Sequence, residues 1–169
     1  MENWKLISPK ELSENPFRLL SESWALLTAG DAVSAYNTMT VSWGGVGVLW
    51  NKNVATVYVR PQRHTFGFME KSGHFTLSFF GEEYKKALSF CGSKSGRDYD
   101  KAKECGLTPI SVEDGVAFEE AKLILACRKL YWNDILPENF CDTAIDGANY
   151  PAKDYHRMYI GEILGSYQK

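Results

Sequence analysis

Residues 37–43, in the order Asn-Thr-Met-Thr-Val-Ser-Trp, carry side chains that suit the binding of a flat, polar ligand. The segment combines a carboxamide, hydroxyls two residues apart and a broad indole ring. In an extended chain, residues two apart face the same way, so Thr38, Thr40 and Ser42 are expected to line one side. Such a face suits a planar heteroaromatic ligand with a hydroxylated tail. The same alternation also fits an ordinary half-buried strand whose hydroxyls face solvent.

Residues 60–65, in the order Arg-Pro-Gln-Arg-His-Thr, form a second cluster at the end of a predicted strand. Thr65 is predicted to cap the helix that follows. Two guanidinium groups, a hydroxyl and a helix N-terminus all present donors to an anion, a combination typical of a phosphate receptor. A solvated basic turn fits these residues equally well. Residues 93–97 (Ser-Lys-Ser-Gly-Arg), with Lys101 just beyond, form another donor-rich segment that also fits a plain surface loop.

Other chemistries find little support in the sequence. Residues 45–50 (Gly-Val-Gly-Val-Leu-Trp) begin like a dinucleotide-binding fingerprint, but Trp50 occupies the third glycine position and the pattern continues as a strand. The chain has no P-loop and no Gly-x-Ser-x-Gly nucleophile elbow. His64, His74 and His156 are scattered, which disfavours a hydrolase or a metalloenzyme.

The four cysteines do not form a metal-binding pattern. They lie 14, 22 and 14 residues apart, at positions 91, 105, 127 and 141, with no close pair. Structural zinc sites usually contain ligands two to four residues apart, so we predict no metal site. We expect buried or half-buried free thiols.

The composition excludes further function classes. The chain has 19 Lys and Arg residues against 21 Asp and Glu, a net charge of −2, which argues against binding of duplex nucleic acid through a basic face. The 44% hydrophobic and 24% charged residues are typical of a globular protein. The length of 169 residues predicts one domain, 1–169, in which 1–23 form a short helical lead-in. No apolar run approaches the ~20 residues of a membrane span, and the start lacks the pattern of a secretion signal. We therefore expect a cytoplasmic protein with no nucleic-acid or membrane partner.

The elements that position these clusters are mainly strands. Ser8 and Glu11 predict a capping box, and the chain restarts a helical turn at Asn15 and Pro16. Strands are predicted at 24–28, ended by Gly30 and Asp31, and at 36–50 (as one strand or a pair), 54–60, 75–80, 122–131 and 157–167. Helices are predicted at 65–71, at 82–91 with Gly92 as terminator, and from a cap at Asp98 to Cys105 and Gly106. Residues 133–153 are predicted to be a long surface loop. Six or so strands with short helices favour a β-barrel.

Several motifs together resemble the flavin reductase-like family, in particular its flavoredoxin-type branch. They are Asn-x-Met-Thr-x-Ser-Trp (37–43), Gly-x-Leu-Trp (47–50), Val-Arg-Pro-x-Arg-x-Thr (59–65) and Phe-Thr-Leu-Ser-Phe (75–79). Residues 154–163 resemble the family's Asp-His…Gly-Glu-Val segment, with Tyr155 inserted between Asp154 and His156. The resemblance runs from about Trp24 to the C-terminus.

The resemblance implies a mainly β fold, an FMN-binding split β-barrel of Greek-key-like topology with short α-helices. It implies a homodimer with flavin sites near the subunit interface. The cofactor would be FMN rather than FAD. Electrons would pass from NAD(P)H to flavin, or onward to a redox partner protein.

The resemblance also implies roles for individual residues. Contacts to the ring system and ribityl chain would come from Asn37, Thr38, Met39, Thr40, Ser42 and Trp43. Thr65 would help to hold the phosphate, with Arg60 and Arg63 as supports and Lys101 on the phosphate side. Ser95 and Arg97 are further candidates for the cofactor pocket. His156 would lie near the ring or the nicotinamide approach, as the candidate catalytic residue.

Two alternative functions remain compatible with the sequence. The first is a non-enzymatic, flavoredoxin-like FMN electron carrier that is reduced by a protein partner. The second is a structural barrel that has lost its cofactor. Since cofactors make and break the bonds in hydride transfer, the absence of an acid–base constellation fits either flavoprotein hypothesis.

Overall fold

Residues 3–169, which the computed structural model describes, form ten β-strands and five short α-helices. The strands are β1 Lys5–Ile7, β2 Ala25–Ala32, β3 Ala35–Val41, β4 Gly44–Leu49, β5 Lys52–Val59, β6 His74–Phe79, β7 Pro109–Val112, β8 Gly115–Phe118, β9 Leu123–Asp134 and β10 Arg157–Gln168. The α-helices are α1 Pro16–Arg18, α2 His64–Lys71, α3 Lys85–Ser93, α4 Lys101–Glu104 and α5 Thr143–Asn149. Single 3₁₀ turns lie at Pro9–Glu11, Glu82–Tyr84 and Pro137–Asn139, and a π-helical turn at Leu19–Ser23. Across residues 3–169, no helix combines the length and the apolar character needed to cross a membrane.

The two edges of the main sheet are consecutive in the chain. The strand order is β3-β2-β6-β9-β10-β5-β4, with antiparallel pairing throughout and β1 added against β10. Only Ser42 and Trp43 separate β3 from β4. Three chain steps span at most about 11 Å, so the edges must lie near one another. The sheet therefore curls into a barrel that is open between β3 and β4.

The barrel interior is filled by one face of each main strand. In β5, Ala55, Val57 and Val59 are fully buried, while Thr56 and Tyr58 on the opposite face are half-buried. Inward side chains of β2, β3, β6, β9 and β10 join the same apolar cluster, together with Met69 of α2. The alternation predicted for β5 is thus confirmed, and it gives the barrel a single continuous core.

A second apolar layer covers the outer face of β2 and β9. It is formed by Leu88 and Cys91 of α3, Ala102 of α4, and residues of the β7–β8 hairpin. Strand β6 lies under the hairpin, where the hydroxyl of Thr76 donates to the carbonyl of Val116 (2.5 Å). Because this side of the barrel is covered on both faces, it forms a rigid wall to which α3 and its following loop are attached.

The predicted strands and the mainly β fold with short helices are confirmed, and the segment 36–50 is a strand pair. The capping box of Ser8 and Glu11 is present, and Asn15 caps α1. The surface loop predicted at 133–153 is wrong in part. The segment contains the end of β9, a 3₁₀ turn and α5, whose N-terminus is capped by Asp142.

Three predicted helix caps are also wrong. The N-cap of α2 is Arg63, one residue before the helix starts, and Thr65 lies inside the helix. The side chain of Asp100, not Asp98, accepts from the Lys103 N–H and caps α4. Gly92 lies inside α3, which ends at Ser93; at Gly92 an added Cβ would meet the Thr40 side chain at 3.3 Å, so this glycine provides room for β3.

Strand β2 continues past Gly30 to Ala32, with a register shift in its pairing to β3. Strands β1, β7 and β8 were not predicted. All four cysteines are free. Cys91 and Cys127 are buried and Cys105 is half-buried as expected, but Cys141 is exposed. No group of three His, Cys, Asp or Glu side chains within residues 3–169 is placed to hold a metal ion.

Gly44 is required where the chain leaves the β3–β4 link. A Cβ built on it would lie 2.5 Å from the carbonyl oxygen of Thr56, whereas at Gly45 a Cβ would have no neighbour within 4 Å. We expect Gly44→Ala to lower the free energy of unfolding by about 1–3 kcal/mol. The matched variant Gly45→Ala should change it by less than about 0.5 kcal/mol. Urea denaturation measures both, and equal losses in the two variants would contradict the assignment.

Candidate functional site

A cavity of about 180 Å³ lies between the start of α2 and the loop that joins α3 to α4. We call it the cationic cavity. It is lined by Gln62, Arg63, His64, Thr65, Ser93, Lys94, Ser95, Gly96, Arg97 and Lys101. The turn at 60–65 and the loop at 93–97, which the sequence singled out separately, therefore meet in one site.

Asn37 of β3 ties this cavity to the sheet. Its carboxamide oxygen accepts hydrogen bonds from the hydroxyl of Thr65 (2.7 Å), the Thr65 N–H (3.3 Å) and the Thr38 N–H (3.3 Å). The side chains of Asn37 and Thr65 are both buried. On the other side of the carboxamide lies Gly96, where an added Cβ would be 1.9 Å from the Asn37 side chain. The β3 strand, the start of α2 and the 93–97 loop are thus held in close contact at Asn37.

The ammonium group of Lys101 is buried at the base of the cavity. Its Nζ donates to the carbonyls of Cys91 (2.9 Å) and Lys94 (3.2 Å) at the end of α3. Only 4% of the residue is exposed. Burial lowers the pKa of Lys101 to about 8, with a smaller contribution from the Arg63 guanidinium. The ammonium remains mostly charged at neutral pH and has one N–H beyond its two carbonyl bonds.

The cavity carries concentrated positive charge. Burial lowers the pKa of Arg63, and burial, Arg97 and Lys101 lower the pKa of His64. No aspartate or glutamate is among the lining residues. Buried charges in proteins are normally paired, so an anionic ligand would complete this group of donors.

A second cavity of about 240 Å³ adjoins the far end of β3. We call it the aromatic cavity. It is lined by Met39, Thr40, Val41, Ser42, Trp43, Tyr58, Arg60 and His156. Asn37 contacts Thr65 and Gly96 of the cationic cavity. Residues 39–43 line the aromatic cavity, so the two cavities lie near opposite ends of β3.

His156 forms one side of the aromatic cavity. Its Nδ1 lies 2.9 Å from the hydroxyl of Tyr150, which is itself buried. The His156 ring lies 5.2 Å from the Trp43 ring and 6.5 Å from the Tyr58 ring, measured between centroids. Burial, and then the charge of Arg60, lower the pKa of His156 to about 4. The imidazole is therefore neutral at pH 7.

Arg60, predicted to help hold the phosphate, lies outside the cationic cavity and lines the aromatic cavity instead. Its guanidinium forms an ion pair with Asp154 (2.6 Å), donates to the carbonyl of Asn149 (2.9 Å) and lies 5.1 Å from the centre of the Tyr150 ring. Hydrogen bonds from Arg60 and Gln62 lower the pKa of Asp154. These contacts turn Arg60 toward the C-terminal segment and the aromatic cavity, while Arg63 remains in the cationic cavity.

The hydroxyls of Thr38, Thr40 and Ser42 do not line one side of a single site. The Thr38 hydroxyl donates to the carbonyl of Leu27 (3.2 Å) and accepts from that of Thr28 (3.0 Å), and it lies outside both cavities. The Thr40 hydroxyl donates to the carbonyl of Leu88 (2.5 Å) and fastens β3 to α3. Ser42 lines the aromatic cavity.

The structure divides most of the predicted site residues between the two cavities, while Asn37 and Thr38 line a third cavity of about 560 Å³ that shares Lys101 with the cationic cavity. Arg63, Thr65, Ser95, Arg97 and Lys101 line the cationic cavity, whereas Met39, Thr40, Ser42, Trp43, Arg60 and His156 line the aromatic cavity. Sequence reasoning missed His64, Lys94, Gly96, Tyr58 and Tyr150. The first three fall inside the donor-rich segments that the sequence indicated, and Tyr58 shares a strand face with Arg60. No local pattern marks Tyr150.

The protonation of His156 can be measured directly. We expect its imidazole to stay neutral from pH 8 down to about 5.5, since burial places its pKa near 4. The unfolded chain has a histidine pKa of about 6.5. The proton therefore binds the unfolded state more tightly, and this contribution to stability falls as the pH drops below about 6.5 toward 4. NMR titration of the imidazole tests the assignment, and a midpoint near 6.5 for His156 would contradict it.

Comparisons with known proteins identify the family and the fold. Residues 17–167 match the family model described as flavin reductase like domain. The fold resembles the FMN-binding domain of a flavin reductases-like enzyme from Shewanella baltica OS155, with a TM-score of 0.68 at 19% identity over 98% of this chain and 77% of that chain. No curated protein sequence matches the chain significantly.

Two flavoredoxins have the same fold. That of Methanosarcina acetivorans gives a TM-score of 0.66 at 21% identity, over 87% of this chain and 68% of that chain. That of Desulfovibrio vulgaris (Miyazaki F) gives 0.67 at 21% identity, over 96% of this chain and 77% of that chain. At these identities the likeness establishes a common split-barrel fold, and the family match covers most of the sequence. The resemblance predicted from the motifs is confirmed: the chain belongs to the flavin reductase-like domain family.

Proposed function

We propose that the chain is an FMN-binding oxidoreductase that passes electrons from NAD(P)H to flavin or to a downstream acceptor. The main support is the cationic cavity, whose lining contains no acidic residue, together with the aromatic cavity that lies at the other end of β3. The Shewanella neighbour is described as FMN-binding, and two neighbours are flavoredoxins. FMN is favoured over FAD because the donors form one compact group, suited to one terminal phosphate.

The donor set fits the phosphate of FMN. Arg63, Arg97 and Lys101 supply charged donors, and the Ser95 hydroxyl lines the same cavity, whereas the Thr65 hydroxyl donates its proton to Asn37. Charge-assisted hydrogen bonds to phosphate are the strongest of their kind, and a helix N-terminus adds favourable dipoles. Gly96 lets the loop approach Asn37 closely, because any side chain there would displace the carboxamide.

The aromatic cavity suits the ring system. Asn37 and Ser42 are five residues apart, which is about 16 Å along an extended strand. One strand can thus follow a ligand that has a phosphate at one end, a polyhydroxyl chain in the middle and a flat ring at the other. Met39 and Trp43 offer apolar and aromatic surface to such a ring, and Ser42 offers a hydroxyl.

FMN, when bound, would supply the redox chemistry, accepting a hydride from a reduced nicotinamide. The chain's own residues would orient the flavin ring and shield it from solvent. His156 is neutral, and its hydrogen bond with Tyr150 fixes the ring plane and leaves Nε2 free to contact a ligand in the cavity. Trp43 is half-exposed next to His156, and we propose that the nicotinamide approaches between these two side chains.

The flavoredoxin neighbours favour a second candidate, an FMN electron carrier that a protein partner reduces. The two candidates differ in whether a nicotinamide nucleotide reduces the bound flavin. Under the enzyme proposal, anaerobic addition of NADH or NADPH to the FMN complex bleaches the flavin absorbance within seconds. Persistence of the oxidised spectrum with both nucleotides would refute the enzyme and leave the carrier. A protein that binds no FMN in a titration would refute both.

Arg63 tests the phosphate assignment. We expect Arg63→Gln to weaken FMN binding by about 10- to 100-fold, because it removes a charged, partly buried donor from the cavity. Lys103→Gln removes an exposed charge just after Lys101 but outside the cavity and should leave the affinity within about twofold. Fluorescence titration with FMN measures both dissociation constants. Equal affinities for the two variants would count against this cavity.

We further propose that the chain works as a homodimer, paired through its exposed apolar surface. This surface comprises Val48, Leu49 and Trp50 at the β4–β5 turn, and Tyr131 and Trp132 of β9. The rings of Trp50 and Tyr131 lie 6.1 Å apart, and Trp50 is 56% exposed. Contiguous exposed apolar surface of this kind usually marks an interaction site.

Replacing Trp50 tests the pairing. We expect light scattering to give twice the chain mass for the wild type and the mass of one chain for Trp50→Asp, since a charge would be buried in an apolar contact. Val33→Asp is the matched control, because Val33 is equally apolar and exposed but lies on the β2–β3 turn. A monomeric wild type, or dissociation caused by both variants, would contradict the proposal.

A further inference from the structure

Two cysteine side chains are in contact on the outer side of the barrel. The Sγ atoms of Cys91 and Cys105 lie 3.8 Å apart. Cys91 is fully buried in the last turn of α3, and Cys105 is half-buried directly after α4. A disulfide has an S–S distance of about 2.05 Å, so less than about 2 Å of further approach would join them.

The thirteen residues between these cysteines form much of the cationic cavity. They include Lys94, Ser95, Gly96, Arg97 and Lys101. Both cysteines also bond directly to Lys101: its Nζ donates to the carbonyl of Cys91 (2.9 Å), and its carbonyl accepts from the Cys105 N–H (3.2 Å). A covalent bond between the sulfurs would therefore fasten both ends of the loop that carries these donors.

We propose that Cys91 and Cys105 form a peroxide-oxidisable dithiol whose disulfide locks the 92–104 loop around the cationic cavity. The disulfide itself is inferred from the geometry of the two thiols. Its effect on the cofactor rests on the proposed function, because the locked donors would be those that hold the FMN phosphate.

The chemistry takes place in two balanced steps. The half-buried Cys105 sulfur attacks one oxygen of hydrogen peroxide and breaks the O–O bond, which gives a sulfenic acid. The hydroxide that leaves combines with the thiol proton to form water. The Cys91 thiol then attacks that sulfur and displaces a second water, so the two thiols lose two electrons in total to the peroxide. Burial raises the pKa of Cys91 to about 12 and also raises that of Cys105. Because few thiolates are present at neutral pH, the reaction with peroxide is slow, and the disulfide forms only on sustained exposure to peroxide.

The expected consequence is a more tightly organised loop. Closing the loop of thirteen residues between the two cysteines removes conformational freedom from it. Donors that are fixed in advance bind a ligand at a lower entropic cost. FMN should therefore dissociate more slowly from the oxidised protein, by about 2- to 10-fold.

The test treats the full-length FMN complex with hydrogen peroxide in a Cys141→Ser background, which removes the exposed thiol. Mass spectrometry should show a loss of 2 Da and a linkage between the peptides that contain Cys91 and Cys105. Trypsin cleavage after Lys94 and Arg97 should slow, as should FMN dissociation, and a thiol reductant should reverse these changes. Cys105→Ser and, separately, Cys91→Ala should abolish them.

Two results would overturn the inference. One is the absence of an intramolecular disulfide, with the thiols intact or oxidised to sulfinic acids. The other is a disulfide that changes neither the trypsin cleavage rate nor FMN dissociation. If the protein binds no FMN before oxidation, the proposed function fails, and the mass and trypsin measurements still decide whether the dithiol locks the loop.

Discussion

The buried contact between the Asn37 carboxamide and Thr65 is the interaction on which both cavities depend. It joins the outer strand β3 to the first turn of α2, two elements that the sheet itself does not pair. Gly96 packs against the same carboxamide from the opposite side. This contact holds the basic turn against the donor loop, together with the hydrogen bond that Arg97 donates to the carbonyl of Gln62 (3.4 Å). The two segments face each other at one end of β3, while the other end of the strand borders the aromatic cavity.

The two cavities differ in their charge. In the cationic cavity, the Lys101 ammonium is bonded to carbonyl groups, and Arg63 and Arg97 stand nearby. In the aromatic cavity, Arg60 is neutralised by Asp154, and His156 is uncharged. One end of β3 thus favours an anion, and the other favours a neutral flat ring. A phosphorylated flavin has this polarity, which is why the geometry supports FMN more strongly than the fold alone does.

Much of this arrangement could be predicted from the sequence because it is local. The alternation in β5 predicts its buried face, and the motifs at 37–43 and 59–65 indicate the family. Together with the donor-rich segment 93–97, these motifs contain most residues of both cavities. Features that depend on distant partners could not be predicted. Arg60 is drawn away from the cationic cavity by Asp154, 94 residues later. Tyr150 contacts His156 from the residue that follows α5, a helix in a segment with little apolar periodicity. Helix caps also depend on partners elsewhere in the chain: the Thr65 hydroxyl bonds to Asn37 and does not cap α2.

Comparison of FMN with riboflavin shows whether the cationic cavity binds the phosphate of FMN. Riboflavin has the same ring and polyhydroxyl chain but no phosphate. Its affinity therefore measures the contribution of the aromatic cavity and β3 without that of the cationic cavity. We predict that the wild-type protein binds riboflavin at least about 100-fold more weakly than FMN in fluorescence titrations. Equal dissociation constants for the two flavins would contradict the account.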